Sequence, residues 1–294
     1  MTSNLIIPRR ALGQTGETLP VIGFGGIIVV GAEQSEANNY VAEAFDHGVN
    51  YFDVAPSYGR GEAEEKLGPA LQPYRSRSFL ACKTTERDAA NARREMEQSL
   101  RRLRTDHFDL YQLHSLTHVE EDVERALAPD GALQVVLDAR EKGMVRYIGF
   151  SAHSVAAALR AMETGLFDTI LYPINFTCHF EGNFDQAPLE EARRRGMGIL
   201  ALKAMARTKW PAELKKEDRP FKKTWYEPVA DPEIAGLALR WTLSQGVTAA
   251  IPPGMIDLWR IALNAPRKEE PLNEEELQRL RATAQELEPI FAAP

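Results

Sequence analysis

The sequence predicts a single α/β domain of the (β/α)8 TIM-barrel class over residues 1–294, with a short N-terminal hairpin and an added C-terminal helix. Three observations predict it. Short apolar runs alternate with amphipathic stretches along the whole chain, which is the pattern of βα units around a parallel sheet. Eight such runs occur, and eight suit a closed barrel better than a doubly wound sheet. The length is ordinary for one such barrel, and no repeat, low-complexity tract or long linker divides the chain.

Taken in order, Gly13 to Gly16 mark a tight turn before Leu19-Pro20, and this segment is expected as the hairpin. Strands are expected at 21–25, 49–54, 78–83, 108–114, 145–151, 169–174, 198–203 and 247–251. Helical patterning covers 35–47, 62–71, 89–103, 119–141, 155–163, 188–195 and 232–244. Ser35 followed by Glu36 reads as an N-cap with an acid in the first turn, and Gly48 stands where a C′ glycine would. Arg193, Arg194 and Arg195 place positive charge on a helix C-terminus, so this basic run reads as structural. Residues 206–231 read as a large loop after the seventh strand, and 272–290 as an amphipathic helix closing against the barrel.

Composition narrows the function classes. Apolar residues make up 44% and charged residues 26%, ordinary values for a globular protein with a substantial core. A formal net charge of −7 leaves no basic surplus for nucleic-acid phosphates. No apolar run approaches a membrane span, and the N-terminus lacks a signal-peptide pattern, so a cytoplasmic location is expected. Cys82 and Cys178 form no disulfide framework, and no His/Cys/Asp spacing suggests a metal. The turn Gly23-Phe24-Gly25-Gly26 lacks the full dinucleotide fingerprint, which disfavours a Rossmann unit.

A barrel directs its chemistry to the carboxyl ends of its strands. Asp53, Lys83 and His114 each end an expected strand, and Tyr58 lies in the loop just after the second. Singly, each has an ordinary reading: a turn aspartate, a packing tyrosine, a satisfied histidine. A lysine ending an apolar strand must emerge to solvent or find a partner, and together the four are more informative than any member.

The stretch Phe52-Asp53-Val54-Ala55-Pro56-Ser57-Tyr58-Gly59, continuing through Glu62-Ala63-Glu64-Glu65-Lys66-Leu67-Gly68, resembles the signature of the aldo-keto reductases. Lys83 and His114 match the family's other catalytic positions, and Ile22-Gly23-Phe24-Gly25-Gly26 and Ile148-Gly149-Phe150-Ser151 are similarly family-like. The resemblance implies reduction of an aldehyde or ketone carbonyl, or oxidation of the alcohol, with NADP(H) preferred and NAD(H) the alternative. Tyr58 would be general acid or base, Lys83 would lower its pKa, Asp53 would hold Lys83, and His114 would orient the carbonyl oxygen.

The resemblance places the nucleotide across the upper barrel, on Gly25, Asp53, Ser151, Asn175, Pro252, Gly254, Arg260 and Asn264, and Lys203, next to a Leu202 that stands where the family often has an aromatic residue, is expected as a further cofactor-binding residue that reaches the pyrophosphate or the substrate. Arg260 occupies the position that pairs with a 2′-phosphate. The chain departs from the family at Ala152, Leu171, Leu202, Met255, Ile256 and Leu263. The substrate is expected against Tyr58 and His114, with Trp210 and Trp225 as apolar walls. The alternative function is a nucleotide-binding sensor or scaffold on the same barrel. A barrel hydrolase or lyase built on Asp53 lacks a paired acid. The substrate's identity and the oligomeric state are not legible.

Overall fold

A computed structural model describes residues 6–265, 271–285 and 287–293. The chain opens with the antiparallel hairpin β1 (Arg9–Ala11) and β2 (Thr18–Pro20). Gly13 at φ +54° helps make its turn, and a Cβ there would come within 2.3 Å of the Gly198 backbone nitrogen, so only glycine fits. The first barrel units follow as β3 (Phe24–Gly25), α1 (Gln34–Asp46), β4 (Tyr51–Asp53), α2 (Glu62–Leu71), β5 (Phe79–Thr84) and α3 (Ala89–Leu103). Next come β6 (Phe108–Leu116), α4 (Arg125–Leu127), α5 (Ala132–Glu141), β7 (Val145–Ala152), α6 (Val155–Glu163), β8 (Thr169–Pro173), α7 (Phe176–Phe180) and α8 (Gln186–Arg194). The last part runs β9 (Gly198–Leu202), β10 (Ala206–Lys209), β11 (Tyr226–Pro228), α9 (Pro232–Ser244), β12 (Ala249–Ile251), α10 (Ile256–Ala262) and α11 (Glu274–Gln285).

Eight strands form one parallel sheet in the order β12-β9-β8-β7-β6-β5-β4-β3. A parallel bridge between Ile22 and Ala250 joins its two edges. At this seam Gly23 N–H donates to the Ala250 carbonyl and Ala250 N–H to the Val21 carbonyl, each at 2.9 Å. The expected barrel is present.

Alternation of side chains along each strand divides the core in two. Tyr51, Phe79, Ala81, Leu110, Leu171, Leu200, Ala249 and Ile251 face inward and form one buried cluster with Leu12 and Leu19 of the hairpin segment. The intervening Phe52, Leu80, Cys82, Tyr111 and Leu113 face the helices and join the larger outer core. The inner positions of β4, β5 and β6 therefore continue upward to Asp53, Lys83 and His114.

Several element boundaries differ from expectation. The single helix expected at 119–141 is a π-helical turn at Val119–Glu124, the short α4, a break, and α5. Pro129 lies in that break, and Gly131 packs so closely that a Cβ would meet the Ala126 carbonyl oxygen at 2.3 Å. Helix α1 is capped by Glu33, not Ser35; the Glu33 N–H donates to the Glu36 carboxylate at 2.8 Å. Helix α7 was not expected, and the helix expected at 188–195 starts earlier, at Gln186. The long segment after β9 carries the antiparallel pair β10–β11 rather than irregular loop throughout. Helix α11 ends at Gln285, short of the expected 290, and packs against α7 and α9.

Candidate active site

The four strand-end residues line one cleft at the carboxyl side of the barrel. Lys83 is fully buried and forms an ion pair with Asp53, while its ammonium also donates to the Val54 carbonyl at 3.2 Å. The second Asp53 oxygen accepts from the Gln112 amide at 3.2 Å and from the Tyr51 hydroxyl at 3.5 Å. Tyr58 begins the short turn after β4, where Gly59 and Arg60 both take positive φ. The Lys83 ammonium stands 5.2 Å from the Tyr58 ring centroid, and the Tyr58 and His114 ring centroids are 6.1 Å apart. The Arg87 guanidinium pins the His114 carbonyl at 2.8 Å, which fixes the strand end behind the ring.

Burial and charge oppose each other here. Burial pushes the Tyr58 phenol up, and the Lys83 charge pulls it down without cancelling the rise. The expected lowering of that phenol by Lys83 is therefore present as a direction but loses to desolvation. Burial also works against the Lys83 ammonium, but Asp53 and Tyr58 outweigh it and leave its pKa raised. The His114 imidazole is pushed well below its ordinary value by burial and then by Lys83 and Lys203, so the ring is neutral at pH 7. Its Nδ1 is buried without a hydrogen-bond partner among the described residues.

A second polar group shares the cleft. Lys203, just beyond β9, meets His153 Nε2 at 2.8 Å, and His153 Nδ1 lies 2.8 Å from Ser115 Oγ. With Lys203 charged, its ammonium donates to Nε2 and the Nδ1–H donates to Ser115. His153 stacks on Phe291 with centroids 5.3 Å apart, and the Lys203 ammonium lies 5.7 Å and 5.6 Å from the Trp225 and Phe291 ring centroids. Ser115 and Lys203 both hold left-handed backbone, φ +61° and +60°, a conformation costing about 1–3 kcal/mol per non-glycine residue. Burial holds the Lys203 ammonium down to about 7, and burial with the Lys203 charge holds His153 well below the ordinary histidine value.

The remaining expected site residues separate into groups. Gly25, Pro252 and Gly254 line the cleft, with Leu171, Leu202 and Ile251 as apolar surface. Trp225 and Tyr226 also line it, and Trp225 is half-exposed. Trp210 does not: its indole N–H donates to the Thr224 carbonyl at 3.1 Å, tying the segment between β10 and β11 to itself. Ser151 stands behind the lining, its Oγ accepting the Ser115 N–H at 2.7 Å. Asn175 caps α7 by accepting the Cys178 N–H at 2.9 Å, and its own amide nitrogen is buried without a partner among the described residues. Arg260 and Asn264 lie outside the cleft. The Arg260 guanidinium grips both Glu43 oxygens, at 2.9 Å and 2.8 Å, and the Asn264 amide donates to the Arg260 carbonyl at 3.2 Å.

Tyr51, Gln112 and Lys223 are among the lining or supporting residues that escaped sequence reasoning. Tyr51 and Gln112 share the inward parity of Asp53 and His114, two positions earlier on the same strands, and that periodicity was the signal available. Lys223, whose ammonium donates to the Ile28 carbonyl at 2.8 Å, sits in an irregular segment with no periodic signal. Cys82 and Cys178 are free and buried. Among the described residues no helix is long and apolar enough to cross a membrane.

Comparison with known proteins places this geometry. The model of the aldo/keto reductase family matches residues 21–285. The chain is 31% identical over 156 residues to an uncharacterized oxidoreductase, YqkF, of Bacillus subtilis, covering 49% of this chain and 48% of that protein. It is 33% identical over 173 residues to the aldo-keto reductase yakc [NADP(+)] of Schizosaccharomyces pombe, covering 53% and 48%. The chain thus spans about half the length of these two relatives. Its fold resembles that of the aldo-keto reductase AKR11C1 of Bacillus halodurans in its holo form, with TM-score 0.73, 21% identity, and coverage of 97% of this chain and 98% of that one.

Proposed function

The chain belongs to the aldo/keto reductase family, and from that premise we propose that it is an NADP(H)-dependent oxidoreductase that reduces aldehyde or ketone carbonyls to alcohols, or runs the reverse reaction. The observation that carries the reading is that the Tyr58 ring lies within about 6 Å of both the ion-paired Lys83 ammonium and a neutral His114, all lining one cleft. When bound, the nicotinamide nucleotide supplies the hydride.

The chain's own residues then have distinct tasks. His114, neutral and lining the cleft, offers its ring to the carbonyl oxygen and orients it. Tyr58, a phenol already protonated at neutral pH and raised further by burial, donates its proton to the oxygen that becomes the alcohol. The Lys83 ammonium stabilises the phenolate left behind, and Asp53 keeps that ammonium charged and fixed in direction. Gln112 and Tyr51 hold the far oxygen of Asp53, so the carboxylate cannot swing away. In the reverse direction Tyr58 phenolate accepts the alcohol proton. The apolar walls Trp225, Leu171 and Leu202 exclude water from the reacting carbonyl.

For the nucleotide, Gly25, Pro252 and Gly254 offer a trough of backbone continuous with the four residues. Arg260 and Asn264 are the residues to hold the adenine end, and a guanidinium fork suits a 2′-phosphate. The NADP(+) in the name of the yeast relative supports the same nucleotide. Ser151 and Asn175 act behind the surface, through Ser115 and α7.

Replacing Tyr58 with Phe tests the assignment. We expect kcat for aldehyde reduction with NADPH to fall about 10²–10⁴-fold, with the nucleotide dissociation constant changed less than about two-fold. Retained turnover would remove Tyr58 from the reaction.

A further inference from the structure

The carbonyl-reducing group uses one of three lysines that line the cleft. Asp53 is the sole carboxylate among the residues lining it, and Lys83 takes that charge. Lys203 and Lys223 have no carboxylate within ion-pair distance among the described residues, although the chain as a whole carries a net charge of −7. The two free cations differ. Lys223 donates to a backbone carbonyl, whereas Lys203 is held by a neutral imidazole that is itself fixed by Ser115.

An enclosed ammonium without a counter-charge is costly unless something supplies one. The fold does not move Lys203 out to solvent. It keeps the residue in left-handed backbone, closes the rings of Trp225 and Phe291 over it, and spends one of its three N–H groups on His153. The remaining N–H groups belong to a side chain that lines the cleft. His153 cannot provide the missing charge, because its lone pair rather than a carboxylate faces the ammonium.

We propose that Lys203, positioned by His153 and Ser115, is a binding site for a carboxylate on the carbonyl substrate. The inference rests on the carbonyl-reduction reading, and the compounds turned over are then aldehydo or keto acids. Tyr58 and His114 take the carbonyl oxygen while Lys203 takes the carboxylate.

The test uses the wild-type chain, Lys203→Asn and Lys203→Arg. Asparagine tolerates left-handed backbone, so the first variant removes the charge at little conformational cost, and the second restores it. Steady-state rates are measured with succinic semialdehyde and butanal, which share a four-carbon chain and differ in the carboxylate. Binding of succinate, inorganic pyrophosphate and NADPH is measured by calorimetry.

The proposal requires the succinic semialdehyde preference to fall at least about ten-fold in Lys203→Asn and to recover in Lys203→Arg. An NADPH dissociation constant that rises by a similar factor with the aldehyde preference unchanged overturns it and leaves Lys203 a nucleotide contact. The proposal is overturned if aldehyde preference, NADPH affinity and the affinities for succinate and pyrophosphate all stay within about two-fold in Lys203→Asn. A wild-type chain that reduces neither aldehyde defeats the carbonyl-reduction reading. The calorimetry then decides the anion site independently.

Discussion

Two lysines in the cleft show how neighbours decide a charge. Lys83 is more deeply buried, yet Asp53 and Tyr58 keep its pKa raised; Lys203 lacks a carboxylate and is held down to about 7 by burial. Lys203 therefore loses its proton as pH rises through neutrality, and an anion bound there should be released over the same range. The groups facing it do not confuse the reading. His153 and His114 are neutral throughout because both are held well below the ordinary histidine value. Cys178 is pushed up to about 11, Tyr58 and Tyr226 are pushed up, and Lys83 stays charged. Lys223 is lowered and is separated by the variant. Succinate, fully ionised across the window, should bind roughly ten-fold more weakly at pH 8.5 than at pH 6.5. Lys203→Asn should flatten that slope; an equally steep slope in the variant would assign the titration elsewhere.

Between elements, the contact of α1 with α10 bears on nucleotide choice. Arg260 spends its fork on Glu43, so a 2′-phosphate must displace a carboxylate to use it. The pair is half-exposed, and such pairs contribute about 0–1 kcal/mol, so displacement is cheap. Glu43→Gln should tighten NADPH about two- to five-fold and leave NADH nearly unchanged, whereas Arg260→Met should weaken NADPH and spare NADH. Calorimetry with both nucleotides checks this; parallel changes for the two would detach Arg260 from the phosphate. How much of this was legible varied with the kind of signal. Strand ends were readable because inward parity ties Asp53 to Tyr51 and Lys83 to Ala81 two positions earlier, and His114 to Leu110 four positions earlier. Helix α7 was not, since five residues give too little periodicity and its cap, Asn175, reads equally well as a ligand. The break before α5 was marked by Pro129 and Gly131, but the apolar rhythm on both sides hid it. That Arg260 would be engaged by Glu43 lay beyond any local pattern, because 217 positions separate them.

Across the whole molecule, the barrel separates stability from chemistry by its two ends. The cleft opens at the carboxyl ends of the strands, while the hairpin segment sends Leu12 and Leu19 into the inner cluster with Tyr51 and Phe79, which begin β4 and β5. Both leucines are fully buried, so the hairpin fills the barrel floor that eight inward-facing rows would leave open. Gly13 and Leu12 pack against Gly198 at the start of β9, which fixes that floor to the far side of the barrel. Truncating a buried leucine removes its transfer energy and leaves a cavity that a closed barrel can collapse around only in part. Leu19→Ala should therefore lower unfolding free energy by about 2–5 kcal/mol. Because Leu19 is not among the residues that line the cleft, kcat for the aldehyde that the wild-type chain reduces best should change less than about two-fold at a temperature where the variant remains folded. Urea denaturation and steady-state rates on the same preparation check both halves. A loss of kcat in step with the loss of stability would show that floor and cleft are coupled, and that the barrel does not insulate one end from the other.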